Sequence, residues 1–109
     1  MLDTEILMDS PVIAAIKDAN GLEECLTTEC QVIFILYGNV CNIGDIVKKI
    51  KDQGKTAIVH MDLIAGLSSK EVSVDFIKQT THADGIISTK PMIVKRAKEL
   101  GLLAISVFS

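Results

Sequence analysis

His60 and Asp62 stand two residues apart in KTAIVHMDLIAGLSS, residues 55–69, where an apolar run gives way to a glycine-containing loop. An imidazole beside a carboxylate suits several kinds of chemistry: a general base with its orienting partner, two ligands of a metal ion, or a hydrogen-bonded pair gripping a ligand hydroxyl. A satisfied pair that merely closes the end of a barrel is the plain alternative. No third metal ligand or nucleophile is evident nearby, which puts ligand gripping and structural closure ahead of catalysis. A second cluster is Ser88, Thr89 and Lys90, followed by Pro91. Two hydroxyls and an ammonium at a helix start, with proline in the first turn, offer donors, positive charge and the helix dipole to a phosphate. Equally, Ser88 or Thr89 is an N-cap and Lys90 a solvated cation. The remaining bases fall in two groups, Lys48, Lys49, Lys51 and Lys55, then Lys95, Arg96 and Lys98. They read either as solvated faces or as a polyanion contact, and with four aromatics and no tryptophan such a contact would lean on phosphates rather than stacked bases.

Those residues need a scaffold, and the hydropathy pattern supplies one. PVIAAI (11–16), QVIFILYG (31–38), KTAIVHMDL (55–63), DGIIS (84–88) and LLAISVF (102–108) are short, nearly continuous apolar runs rich in Val and Ile. They are expected to be strands buried on both faces. Helical patterns lie between them. In NIGDIVKKIKDQG, Ile43, Ile46, Val47 and Ile50 form one stripe, the lysines face out, and Gly54 stops the helix. Asn20 with Glu23, and Ser68 with Glu71, have the spacing of capping boxes, and Ile93, Ala97 and Leu100 line the inner side of KPMIVKRAKELG.

The order β-α-β-α-β-α-β-α-β implies a parallel sheet with right-handed crossovers. An open flavodoxin-like sheet and the first part of a (β/α)8 barrel both fit, and the absence of a covering helix after AISVFS favours the barrel. In either architecture chemistry sits where strands exit into loops. The exits carry Lys17 and Asp18, Gly38 and Asn39, His60 and Asp62, and Ser88, Thr89 and Lys90. Strand alternation sends His60 and Asp62 to one side above Ile58, into a barrel mouth.

At 109 residues and 49% apolar composition, the chain holds material for one core, so a single domain over 1–109 is expected. No apolar run approaches a bilayer span, and MLDTE lacks a signal-peptide pattern, so a cytoplasmic protein is expected. Cys25, Cys30 and Cys41 form no CxxC and read as small buried hydrophobes. The net charge of −3 is unevenly spread: residues 1–47 carry one base against eight acids, and residues 48–109 ten bases against six acids. Such asymmetry can mark a polyanion-binding face.

VHMDLIAGL, followed by ADGIISTKPMIVKRAKELGLLAI, closely resembles the glycerol-3-phosphate-responsive antiterminators, also called glycerol uptake operon antiterminators. PVIAAIKD and the helix after it resemble that family's opening, so the likeness covers nearly the whole chain. The resemblance implies an α/β, TIM-barrel-like fold, here the N-terminal five strands and four helices of a (β/α)8 barrel. It further implies a regulator rather than an enzyme, with no cofactor, glycerol 3-phosphate as effector, and the leader mRNA of glycerol operons as partner. Members of the family are considerably longer, and their glycine-containing turns near the C-terminus, the usual phosphate cradle of such barrels, have no counterpart here. The residues that match the family's pattern at strand exits are His60, Asp62, Ser88, Thr89 and Lys90, which are therefore expected on the ligand side, with His60 and Asp62 hydrogen bonding to the glycerol hydroxyls from the barrel mouth. Lys48, Lys49, Lys51, Lys95, Arg96 and Lys98 are the expected RNA side, and homo-oligomerisation is left open. A small barrel enzyme acting on a phosphorylated metabolite is the alternative. A receiver domain is disfavoured because no acidic pair follows the first strand.

Overall fold

The structure is a computed structural model and describes residues 12–107. Pro11 and Phe108, where the first expected strand begins and the last one ends, lie outside the described residues. Among the described residues five strands alternate with four α-helices: β1 Ile13–Ile16, α1 Ala19–Leu26, β2 Val32–Ile35, α2 Ile43–Asp52, β3 Thr56–His60, α3 Glu71–Thr80, β4 Gly85–Ser88, α4 Pro91–Glu99 and β5 Leu103–Ser106.

All four strand pairings are parallel, and the sheet order is β1-β2-β3-β4-β5. An open flavodoxin-like sheet would place the first strand between the second and third, so this order selects the singly wound, barrel-type arrangement. With the right-handed crossovers that parallel connections adopt, each step to the next strand runs in the same direction, which puts the connecting helices on one face. The core agrees: Leu22, Ile43, Ile50, Val74, Ile77, Ile93 and Ala97 from the four helices pack with Ile33, Ile35, Ala57, Val59 and Ile86 of the sheet. Burying an isoleucine of this kind contributes about 1.5–3 kcal/mol.

The opposite face carries no helix among the described residues. Val32, Ile58 and Ile87 cluster there with Phe34, Leu103, Ile105 and Val107. A flat sheet with one bare face would leave its centre in water. Here Ile58 is 0% exposed and Val32 1%, so this face is covered, and the strand order suits a barrel wall, in which the inner side chains of neighbouring strands pack on one another. The expectation that all five strands are buried on both faces holds for β2, β3 and β4 and fails at the two edges. Ile13 and Ala15 of β1 are exposed and β5 is only half-buried, because β1 and β5 each pair on one side within the described sheet.

Local boundaries differ from expectation where side chains compete for backbone donors. Helix α1 is capped by Asp18, whose Oδ1 accepts the Gly21 N–H at 2.7 Å, so Asn20 and Glu23 lie inside the helix rather than forming its cap. Helix α3 has Lys70 at its N-cap without a side-chain cap bond, and Ser68 instead meets Ser73 Oγ at 2.9 Å. Helix α2 ends as its sequence indicates, with Gly54 just beyond it at φ +74°. At the β2 exit Asn39 Oδ1 accepts the N–H groups of Cys41 and Asn42, while Asn42 Oδ1 accepts the Asn39 N–H. Cys30 is buried, Cys25 half-buried, and Cys41 exposed, which departs from the reading of all three as buried hydrophobes.

Candidate functional site

Strand β3 stops at His60, and Met61–Leu63 form one turn of 3-10 helix. The turn is held by Met61, which is 5% exposed and packs in the helix-side core. Two-residue alternation therefore ends at His60 and does not carry Asp62 to the inner face with it. His60 keeps the inner register set by Thr56 and Ile58, while Asp62 turns towards the exit of β4.

There its carboxylate becomes a hub. Ser88 Oγ donates to Asp62 Oδ1 at 2.9 Å, and Thr89 donates to Oδ2 twice, from its N–H at 2.9 Å and from its Oγ1 at 2.6 Å. Lys90 Nζ stands 3.7 Å from Oδ1. Burial pushes the Asp62 carboxyl towards its neutral form, but the Thr89 hydroxyl and N–H, the Ser88 hydroxyl and the Lys90 charge together outweigh that and hold it below the ordinary carboxylate range. Asp62 is thus an anion whose partners lie 26 and 27 residues downstream.

Ser88 is 0% exposed and works in both directions, donating to Asp62 and accepting the Lys90 N–H at 3.0 Å. The N-cap position of α4 belongs to Lys90, with Pro91 following in the first turn, so neither Ser88 nor Thr89 takes the capping role. Both hydroxyls are directed at Asp62. His60 differs from its four companions: its Nδ1 is buried and has no hydrogen-bond partner. The structure therefore gathers Asp62, Ser88, Thr89 and Lys90 into one network spanning the β3 and β4 exits, and leaves His60 beside it with a free ring nitrogen. Among the described residues no group of three or more His, Cys, Asp or Glu stands close enough to hold a metal ion.

Tyr37, at the β2 exit, was not singled out from the sequence. It is half-buried and lines a groove of about 270 Å3 with Glu23, Asn42, Asp45 and Lys49 among others. Burial raises the pKa of its phenol, and Asp18 and Glu23 raise it further. Its place in ILYGN, one residue before Gly38, was the available signal.

The outward bases are mostly engaged. Lys48 pairs with Asp52 at 2.8 Å, Lys49 approaches Glu23 at 3.8 Å, and Lys51 meets Asp84 at 2.9 Å. Arg96 joins α4 to α3 through Asp75 at 2.7 Å and also reaches Glu99 at 3.2 Å. Lys95 and Lys98 are exposed and enter none of the ion pairs among the described residues. Lys55 is drawn inward, its Nζ donating to the carbonyls of Thr28 and Cys30. No helix among the described residues is long and apolar enough to cross a membrane.

Residues 12–108 match the profile of the family described as glycerol-3-phosphate responsive antiterminator. Over 100 residues the chain is 51% identical to YgcP, an uncharacterised protein of Escherichia coli K12, covering 92% of this chain and 52% of that one. Two crystal structures are similar in fold. The glycerol uptake operon antiterminator regulatory protein of Listeria monocytogenes strain 4b F2365 superposes with a TM-score of 0.83 at 30% identity, over 86% of this chain and 51% of its own. A glycerol uptake operon antiterminator-related protein of Thermotoga maritima MSB8 gives 0.77 at 36% identity, over 86% and 52%. The chain spans about half the length of these relatives. The family and the Listeria protein are, by description, regulators rather than enzymes.

Proposed function

The chain belongs to the glycerol-3-phosphate responsive antiterminator family, and from that premise we propose that it senses glycerol 3-phosphate and binds the leader mRNA of a glycerol operon, so that transcription passes a terminator. One observation carries the reading. The family match runs from residue 12 to 108 and so includes the whole polar network at the β3 and β4 exits, the end of such a sheet where loops are free to bind ligands while strands stay rigid.

In this reading His60, Asp62, Ser88, Thr89 and Lys90 line the effector side. The RNA side is the outer surface of α2 and α4. Lys95 and Lys98 contribute most there, since Lys48, Lys49, Lys51 and Arg96 must first release an acidic partner. Expression is regulated because the effector favours one state of the protein over another, which requires the two ligands to be linked through the sheet.

Thermal melting in glycerol 3-phosphate tests the effector half. At a hundredfold excess over Kd, selective binding stabilises the fold by about 2.7 kcal/mol, a rise of about 10 °C or more for a domain of this size. A salt-titrated binding assay tests the RNA half, comparing a leader transcript with a scrambled one. Replacing Lys95 and Lys98 with Gln should flatten the slope of log affinity against log salt by about 0.7 to 0.9 per lost contact. A melting temperature indifferent to glycerol 3-phosphate, together with equal affinity for both transcripts, refutes the proposal.

A further inference from the structure

We infer that Asp62 decides which end of a ligand the β3 and β4 exits can hold: its carboxylate fills the position an anion would take, so these exits admit an uncharged, hydroxyl-bearing end and turn a phosphate away. The inference rests on the effector reading above and refines it.

The donors a phosphate would need at the β4 exit are the Ser88 hydroxyl, the Thr89 hydroxyl and the Thr89 N–H. All three already point at Asp62, at 2.9, 2.6 and 2.9 Å. Ser88 cannot simply turn away, because its Oγ also holds the Lys90 N–H at 3.0 Å and its side chain is fully enclosed. Charge leads to the same conclusion. Lys90 Nζ lies 3.7 Å from Asp62 Oδ1, so the local ammonium is matched by a local carboxylate, and a phosphate dianion would meet repulsion at close range without net attraction.

A neutral hydroxyl faces neither obstacle. An ionised carboxylate offers about four acceptor positions, of which three are taken, and one remains on Oδ1. A carboxylate lone pair accepts a ligand hydroxyl without the repulsion that a phosphate meets there. On this view the expected phosphate role of Ser88, Thr89 and Lys90 becomes one of fixing the Asp62 carboxylate, and the phosphate of the effector is held by groups other than these.

The test follows the Thr89 amide by NMR in the 109-residue chain titrated with inorganic phosphate. The wild-type amide is expected to stay still at millimolar phosphate. Asp62→Ala and Asp62→Ser both remove the carboxylate and open the position that it fills. Each should acquire a saturable Thr89 shift, with phosphate bound on the order of tenfold or more tightly than by wild type, and adding Lys90→Gln should abolish the gain. A wild-type Thr89 amide that titrates with phosphate overturns the inference, as do two folded variants that remain silent. Glycerol 3-phosphate added to wild type reads the parent proposal separately: if it moves no residue at the strand exits, the effector site is lost, whereas the phosphate gain in the variants stands by itself.

Discussion

Replacing Asp84 with alanine should destabilise the protein far more than replacing its lysine partner. Asp84 sits at the entrance of β4, where Oδ2 accepts the Ala57 N–H at 2.8 Å and both carboxylate oxygens lie 2.9 Å from Lys51 Nζ. Its backbone is equally engaged, donating to Ala57 O at 2.9 Å and accepting the Leu103 N–H at 3.0 Å. One residue thus ties the starts of β3, β4 and β5 to α2. In Asp84→Ala the N–H of Ala57, a residue with 0% exposure, is left without a partner, which costs about 1–3 kcal/mol. Loss of the ion pair adds less: its side chains are 34% and 30% exposed, and pairs reachable by water contribute about 0–1 kcal/mol. The expected total is about 1–4 kcal/mol for Asp84→Ala, about 1 for Asp84→Asn, whose amide oxygen can still accept the N–H, and at most about 1 for Lys51→Met. Urea denaturation measures this, with a midpoint shift of about 1–2 M for the alanine variant. Equal losses for Asp84→Ala and Lys51→Met would refute the reasoning, because the ion pair rather than the buried N–H would then carry the energy. Leader RNA affinity of Lys51→Met, measured in parallel, shows whether this lysine serves the fold alone or the RNA as well.

Gly85→Ala should cost about 1–3 kcal/mol or more by overpacking, since a Cβ there would stand 2.5 Å from both the Cβ and the carbonyl oxygen of Leu103; faster amide exchange at Leu103 and Ile105 would report the loosened β4–β5 pairing, and an unchanged urea midpoint would contradict it. Asp62 contributes stability that is present above its unfolded-state pKa and lost as pH falls through the depressed folded value. The stability gap between wild type and Asp62→Asn should therefore be constant near neutrality and close below about pH 4; a gap that widens on acidification would mean the sign is wrong. The open edges at β1 and β5, with Val12 49% and Ile13 37% exposed, should make the chain self-associate as concentration rises. Ile13→Lys should weaken that association, and sedimentation of wild type as a compact, cooperatively melting monomer would argue against it.

The succession of elements was legible in the sequence because it depends on local periodicity. Continuous Val and Ile runs bounded by polar stretches fixed five strands, the Ile43, Ile46, Val47 and Ile50 stripe fixed α2, and Gly54 marked its end. The gathering of polar residues at the strand exits was legible too, since sheets of this kind place loops there. Three things were decided only in three dimensions. Strand order is a matter of which edges meet, and a βαβ pattern reads the same whether the first strand lies outside or inside the sheet; pairing in the order β1 to β5 settled it. Asp62 follows His60 by an alternation that holds only while the chain stays extended, and the Met61–Leu63 turn breaks it. The partners of the charged groups lie far along the chain, Asp62 to Ser88 across 26 residues and Lys51 to Asp84 across 33. Spacing in the sequence records which side chains share a helix face or a strand side, whereas a carboxylate is satisfied by whichever donors the folded sheet brings to it, and only the pairing of neighbouring strands determines which those are.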